Sequence, residues 1–338
     1  MRRLLTPARL AAAFAGVLLV TVVALYLIPS NDYLLLPDTA HPVAPLVTVQ
    51  GAHPARGAGG IYFVDVFERR ASMFESLFPW IHSDATLVPA SDIVPPGASD
   101  QAVEQADLRE MTTSQQVAAA VALRQLGYHV VTKPDGVLVS VIELGTHAAR
   151  ALQPSDVIVS VNGTPTPTVA KLRRVLAGVK VGDVVRLGVR RGSRLLDLRV
   201  RTIADSLDPS RAIIGFEPNQ SASIKLPLHV SIDAGGVGGP SAGLAFALEV
   251  MQKLGRNVDH GYRVAATGEM ELNGAVAPIG GVKQKTIGAR EAKADVFLVP
   301  AGENARDARR YADGLRIIAV KSFPQALHAL ATLPSKRS

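Results

Sequence analysis

The 338 residues carry 36 Lys and Arg against 29 Asp and Glu, a net charge of +7, with 48% hydrophobic and 19% charged residues. That balance excludes a disordered chain and fits a globular or membrane-anchored protein with room for two modest domains. The sequence holds no cysteine, which excludes disulfides, thiolate metal sites and a cysteine nucleophile. The basic residues are scattered, with no aromatic-interleaved patch, so nucleic acid is not an indicated partner.

Leu10 to Ile28 is an uncharged apolar run, which as a helix extends roughly 28 Å and just crosses a bilayer core. Arg2, Arg3 and Arg9 precede it and Asp32 and Asp38 follow. The positive-inside rule therefore predicts a cytoplasmic N-terminus over 1–9, a transmembrane signal-anchor over 10–28 and an extracytoplasmic remainder in the cell membrane. The competing reading is a cleaved signal peptide, for which Tyr26-Leu-Ile-Pro-Ser-Asn-Asp32 is a poor processing site. Residues 29–125 read as an extracytoplasmic N-terminal region. Leu46–Val49 and Ile61–Val66 are predicted strands separated by a turn at Gly57–Gly60, and Met73–Ile81 a short amphipathic helix. Phe74, Leu77, Phe78 and Trp80 are expected to pack into a core or between domains, Ile93–Asp100 to be an exposed loop, and Ser114–Leu126 a helix.

Residues 126–205 change to short strands, at Gly136–Ile142, Asp156–Gly163, Val184–Arg190 and Leu195–Val200, with one helix at Val169–Leu176. Leu152-Gln-Pro-Ser-Asp-Val-Ile-Val-Ser-Val-Asn-Gly163 resembles the L-x-x-G-D-x-I-x-x-V-N-G motif of bacterial PDZ domains, with Ser155 where glycine is usual. The resemblance implies an extended peptide bound by strand addition. Gly127, Tyr128 and His129, within Leu126-Gly-Tyr-His129, are the candidate peptide-binding residues, by a loose match to the family's G-L-G-F loop.

From Leu226 the chain reads as a strand to Ile232, a glycine-rich loop over Ala234–Gly243, and an apolar helix from Leu244 to Leu254. Ser241 stands where loop becomes helix, beside the unpaired N–H groups and positive end of the helix dipole, which suits a developing oxyanion. A serine hydroxyl is a weak nucleophile without a base, and no histidine stands in a triad-like motif. An alternative role for Ser241 is that of a helix cap. Gly239-Pro-Ser-Ala-Gly243, Thr267-Gly-Glu269 and Pro278-Ile-Gly-Gly281 followed by Lys285 resemble, in order and spacing, the proteolytic domain of Lon proteases. That resemblance implies Ser241 as nucleophile, Lys285 as general base and Thr267 as the hydroxyl orienting the lysine. It also implies Gly239, Pro240, Ala242 and Gly243 as the nucleophile loop and oxyanion region, and Lys283 as a non-catalytic lysine. Many Lon enzymes have Asp three residues before the serine; Gly238 stands there, so a carboxylate from that position is missing.

Residues 213–335 are thus read as a Lon-like domain, completed by strands at Asp295–Pro300 and Leu315–Val320 and helices near Ala305–Tyr311 and Phe323–Ala331. The fold class is α/β (α+β) multidomain: transmembrane helix, PDZ-like β domain, mixed α/β Lon-like domain. The order resembles the YlbL family of membrane-anchored bacterial proteases. No G-x-x-x-x-G-K-[ST] occurs, so an ATP-independent serine endopeptidase is expected, without cofactor; no histidine has H-E-x-x-H spacing, so no metal is expected. Expected partners are protein or peptide substrates, the lipid bilayer and, by resemblance, further copies in a homo-oligomer. Two other enzyme readings fit less well: an α/β-hydrolase elbow joins strand to helix directly, and a phosphate-cradling kinase outside the membrane would lack ATP. A catalytically silent membrane-anchored PDZ adaptor is the remaining alternative.

Overall fold

The computed structural model describes residues 6–54, 59–94 and 100–334. Arg2, Arg3, the first half of the predicted Gly57–Gly60 turn and most of the predicted Ile93–Asp100 loop lie outside them. The apolar run forms a helix over Pro7–Leu27, opened by Pro7, whose missing N–H has no partner to lose at the first helical position. Every residue of that helix is exposed except Val22 and Leu25, which are half-buried.

The fold around Ser241 is built from two stretches of chain that the sequence keeps far apart. A five-stranded sheet runs in the order His41–Pro42, Gly60–Phe63, Arg263–Ala266, Val296–Pro300, Arg316–Val320, the last four parallel. Its Val296–Pro300 strand is buried at every residue, as a parallel strand covered on both faces must be. Val47–Val49 pairs antiparallel with Val230–Ile232. Helix Asp100–Gln125 packs Ala118, Val121, Ala122 and Leu123 into the same core as Leu244, Phe246 and Leu248 of helix Gly243–Lys253. The predicted division at 125 and 213 is therefore corrected: residues 29–125 are not a separate region but half of the fold that holds Ser241. The apolar faces of both stretches have only each other to cover them.

Between these halves lies the β domain. Its six-stranded sheet has the order Arg194–Arg201, Val184–Arg191, Val157–Val161, Val131–Ile142, Phe216–Lys225, with Thr164–Pro165 beside 157–161. Val137, Val139, Ile158, Leu172, Val185 and Leu187 form its core. The expected end at 205 falls short, because the 216–225 strand belongs to this sheet along most of the length of 131–142. Ser155, at the motif's glycine position, takes a left-handed φ of 65°, and its hydroxyl donates to Glu110 Oε1 at 3.1 Å, a contact that ties the domain to the 100–125 helix.

Two further expectations change. The 100–125 helix begins fourteen residues earlier than predicted, its first half being too polar to show helical periodicity. Trp80 is not core: it is 71% exposed.

Gly288, within helix Val282–Glu291, lets the backbone at Asp38 cross so closely that an added Cβ would lie 1.8 Å from the Asp38 carbonyl oxygen. Gly288→Ala is expected to cost about 2–3 kcal/mol through forced separation of the two segments, measured as a lowered Tm.

Candidate active site

The loop before Ser241 reverses through residues in left-handed conformation, Gly235 at φ 61° and Gly239 at φ 80°, which side chains resist. Two elements then fix it. The Gly239 N–H donates to the Asp107 carbonyl at 2.9 Å, and the Ser114 hydroxyl donates to the Pro240 carbonyl at 2.9 Å, both from the 100–125 helix. The Ser241 carbonyl accepts from the Gly268 N–H at 2.8 Å and from Thr267 Oγ1 at 3.1 Å. The serine backbone is thus held on both sides, leaving only its side chain to choose a direction.

That side chain meets Lys285, whose Nζ lies 2.7 Å from Ser241 Oγ. Lys285 is carried on the first turns of helix 282–291, which starts after Gly281 at φ 67°, pressed against Val66 so that a Cβ there would approach within 2.6 Å. The lysine is only 5% exposed. Burial lowers its pKa from 10.5 to about 8, against the pull of the Asp65 and Glu68 carboxylates, which favour its charged form. Roughly a tenth of it is then neutral at pH 7, against well under a thousandth for an ordinary lysine, and a general base has to be neutral to act.

Both groups open onto a cleft of about 970 Å³. Glu68, Asp107, Glu110 and Glu269 line it, each carboxyl pushed above its ordinary pKa chiefly by burial and further by a neighbouring carboxylate. Its arginines do not neutralise them: Arg69 is bound to Glu75 and Arg70 to Asp100. Asp107 packs against Gly238 so tightly that a Cβ on Gly238 would lie 2.6 Å from the Asp107 Cβ. The loop, which lacks a carboxylate there in sequence, thus has one as a neighbour on the 100–125 helix, Asp107, among the residues lining the cleft. Beside the cleft, Asp38, His41 and Asp65 bring their ligand-type atoms within 4.8 Å of one another, a grouping that no sequence spacing announces.

The other expected site residues separate. The Thr267 hydroxyl faces the Ser241 carbonyl rather than the lysine amine, so it positions the nucleophile's backbone. The amides of Gly239 and Gly243 are engaged, the latter by the Pro240 carbonyl at 3.3 Å, whereas those of Ser241 and Ala242 bond to no group among the described residues. Lys283 donates to the Ser83 and Ala85 carbonyls, away from the serine. Gly127, Tyr128 and His129 are not brought to a peptide groove. They form the turn from helix 100–125 into strand 131–142, flanked by Leu126 and Val130, which pack on the core around Ser241 rather than on the β domain. At the far end of that strand, Ile213-Ile-Gly-Phe216 leads into 216–225, the last strand of the sheet, with helix 169–176 packed beside it. Gly215 there has φ 94°, and its Gly-Phe pair fits the G-L-G-F pattern better than Leu126–His129, a signal legible in the sequence.

Residues 202–332 match the family model of the Lon protease (S16) C-terminal proteolytic domain, and 124–202 that of the PDZ domain. The chain carries a Lon proteolytic domain. "Lon protease 2" of Bacillus subtilis is 36% identical over 122 residues, 36% of this chain and 21% of that protein. The "Lon protease" of Chloroflexus aggregans is 34% identical over 130 residues, 37% of this chain and 15% of that protein. The chain thus spans about a fifth or less of the length of these curated relatives. Among solved structures, the PDZ domain of the SdrC-like protein of Listeria monocytogenes is 24% identical, with 25% of this chain and 87% of that one covered and a TM-score of 0.23.

Within the Lon domain, acylation of Ser241 by a serine-directed covalent probe requires neutral Lys285. Its rate is expected to rise with pH to half-maximum near 8, following the lysine's pKa. Lys285→Met should remove both this limb and the cost of charging a buried amine. That cost is present below pH 8 and fades as pH rises toward 10.5, and it amounts to roughly 3 kcal/mol at most. An unreactive variant with a raised Tm at pH 7 is the expected result.

Proposed function

We propose that the chain is a membrane-anchored serine endopeptidase that hydrolyses peptide bonds in unfolded or flexible polypeptides without ATP, through a Ser241–Lys285 dyad. The observation that carries this is the 2.7 Å contact between Ser241 Oγ and the amine of a buried lysine. Neutral Lys285 takes the hydroxyl proton as Oγ attacks the scissile carbonyl carbon. The Ser241 and Ala242 amides, at the start of helix 243–253, stabilise the oxyanion. Collapse breaks the C–N bond, Lys285 giving its proton to the leaving amine and leaving an acyl-serine. Water, deprotonated by the same amine, then releases the acid and restores the serine.

The absence of a phosphate-binding G-x-x-x-x-G-K-[ST] motif supports ATP independence. It leaves no means of unfolding a substrate, so segments that enter the cleft are already extended. The carboxylates around Ser241 favour segments carrying Lys or Arg over acidic ones. The exposed edge of strand 216–225, beside helix 169–176, is where a peptide adds as a further strand to the PDZ sheet. Ser155 and its bond to Glu110 place that domain against the helix that holds the nucleophile loop. The helix over Pro7–Leu27 anchors the chain, with the arginine-bearing end in the cytoplasm and the cleft outside. Homo-oligomers are expected from the resemblance to Lon alone.

The full chain in detergent is expected to degrade casein without ATP, and Ser241→Ala and Lys285→Ala to lose at least about a thousand-fold while keeping the wild-type Tm or a higher one. A wild type that cuts nothing, or a Lys285→Ala variant that cuts as well, would return the chain to the adaptor reading. In matched unstructured substrates, Lys-rich segments should be cut faster than Glu-rich ones, with the difference shrinking as salt is raised.

A further inference from the structure

The short helix Met73–Leu77 and the turn Pro79–Ile81 display an apolar surface that the fold leaves open. Phe74 and Phe78 meet with tilted rings at 4.9 Å, and Phe78 meets Trp80 edge-on at 5.2 Å. Outward from them Trp80 is 71% exposed, Leu77 53% and Ile81 48%. The display is rigid. Glu75, 2% exposed, closes a capping box with Ser72 and also binds Arg69 at 2.6 Å and His82 at 3.0 Å, locking the segment from both sides. Trp, Leu and Ile held outward so firmly need a non-aqueous partner.

The apolar helix says which. The Met73 N–H donates to the Ile28 carbonyl at 2.8 Å, and the 73–77 helix packs on helix 7–27. Val22 and Leu25, three apart and so on one face, are the positions on that helix that lose exposure. Its 21 residues span about 31 Å, matching a hydrocarbon core of about 30 Å, and Val22 therefore lies about 7–8 Å inside the end at Leu27. A segment packed at that height sits where acyl chains give way to headgroups, the depth that tryptophan favours, with its ring in apolar surroundings and its N–H toward water.

We infer that residues 73–81 are a second membrane contact, seated in the interfacial layer of the leaflet from which helix 7–27 emerges, with phospholipid as the partner. Two contacts fix the orientation of the catalytic fold on the membrane, where one helix alone would let it swivel. The inference rests on the anchoring part of the proposed function and is independent of the proteolytic part.

Trp80 is the sole tryptophan of the chain, so its fluorescence reads this contact in the unmodified protein. The full chain is reconstituted into phosphatidylcholine vesicles, with carbonate extraction first to establish that it stays in the bilayer. The expected result is blue-shifted emission, strongly quenched by phospholipids brominated near the glycerol end of the acyl chain, weakly by bromines near the chain end, and weakly by aqueous iodide. With the protein resistant to extraction, strong iodide quenching and no effect of brominated lipid would overturn the contact and leave the anchor standing. Blue-shifted emission insensitive to both quenchers would overturn it in favour of a protein partner such as a second copy. Extraction by carbonate would overturn the anchor and the contact together.

Discussion

A lysine amine removed from water and set against a serine hydroxyl is the arrangement on which the rest of this molecule depends. In solvent the amine would be charged and useless as a base; buried at 5% exposure, its pKa falls to about 8. That burial is unfavourable for the charged form, and the fold must impose it. Strand 66–72, helix 282–291 and the crossing at Gly288 supply the closure around Lys285, while the 100–125 helix and the Thr267–Gly268 turn hold the serine to meet it. Asp65 and Glu68 keep the depression moderate, since a lysine with no nearby carboxylate would titrate lower and be a weaker base.

The chemistry was legible because it is local. Ser241 and Lys285 each stand in a short block whose glycines, at 239 and 281, are demanded by left-handed backbone, so their positions could be read from the chain. What supports them was not legible, because it is made by contacts between distant segments. Asp107 and Ser114 hold the nucleophile loop from a helix whose polar first half has no apolar stripe. Thr267 was assigned by family role to the lysine, but its hydroxyl turns to a carbonyl that only the folded turn presents. Trp80 reads as an inside residue because large aromatics usually are, yet it is 71% exposed, on a turn whose apolar face no other segment among the described residues covers.

The β domain illustrates the same limit in another form. Its motif, strands and helix follow from alternation and turn residues, and Ser155 tolerates a glycine-like backbone conformation at the position where the pattern departs. Its last strand, 216–225, escapes the pattern because it lies beyond the motif and pairs with a strand more than ninety positions earlier at its far end, Lys225 with Val131. Leu126–His129 is next to the domain's first strand in sequence, whereas Ile213–Phe216 leads into the strand that edges its sheet.

The insertion of the β domain between the two stretches that build the fold around Ser241 has a temporal consequence. During synthesis the first half, up to residue 125, emerges with its apolar face uncovered, and the β domain then forms from nearly contiguous chain. The sheet around Ser241 gains its Val296–Pro300 and Arg316–Val320 strands only when almost all of the polypeptide has been made. The 100–125 helix likewise keeps its apolar face uncovered, waiting for helix 243–253, which is made more than a hundred residues later.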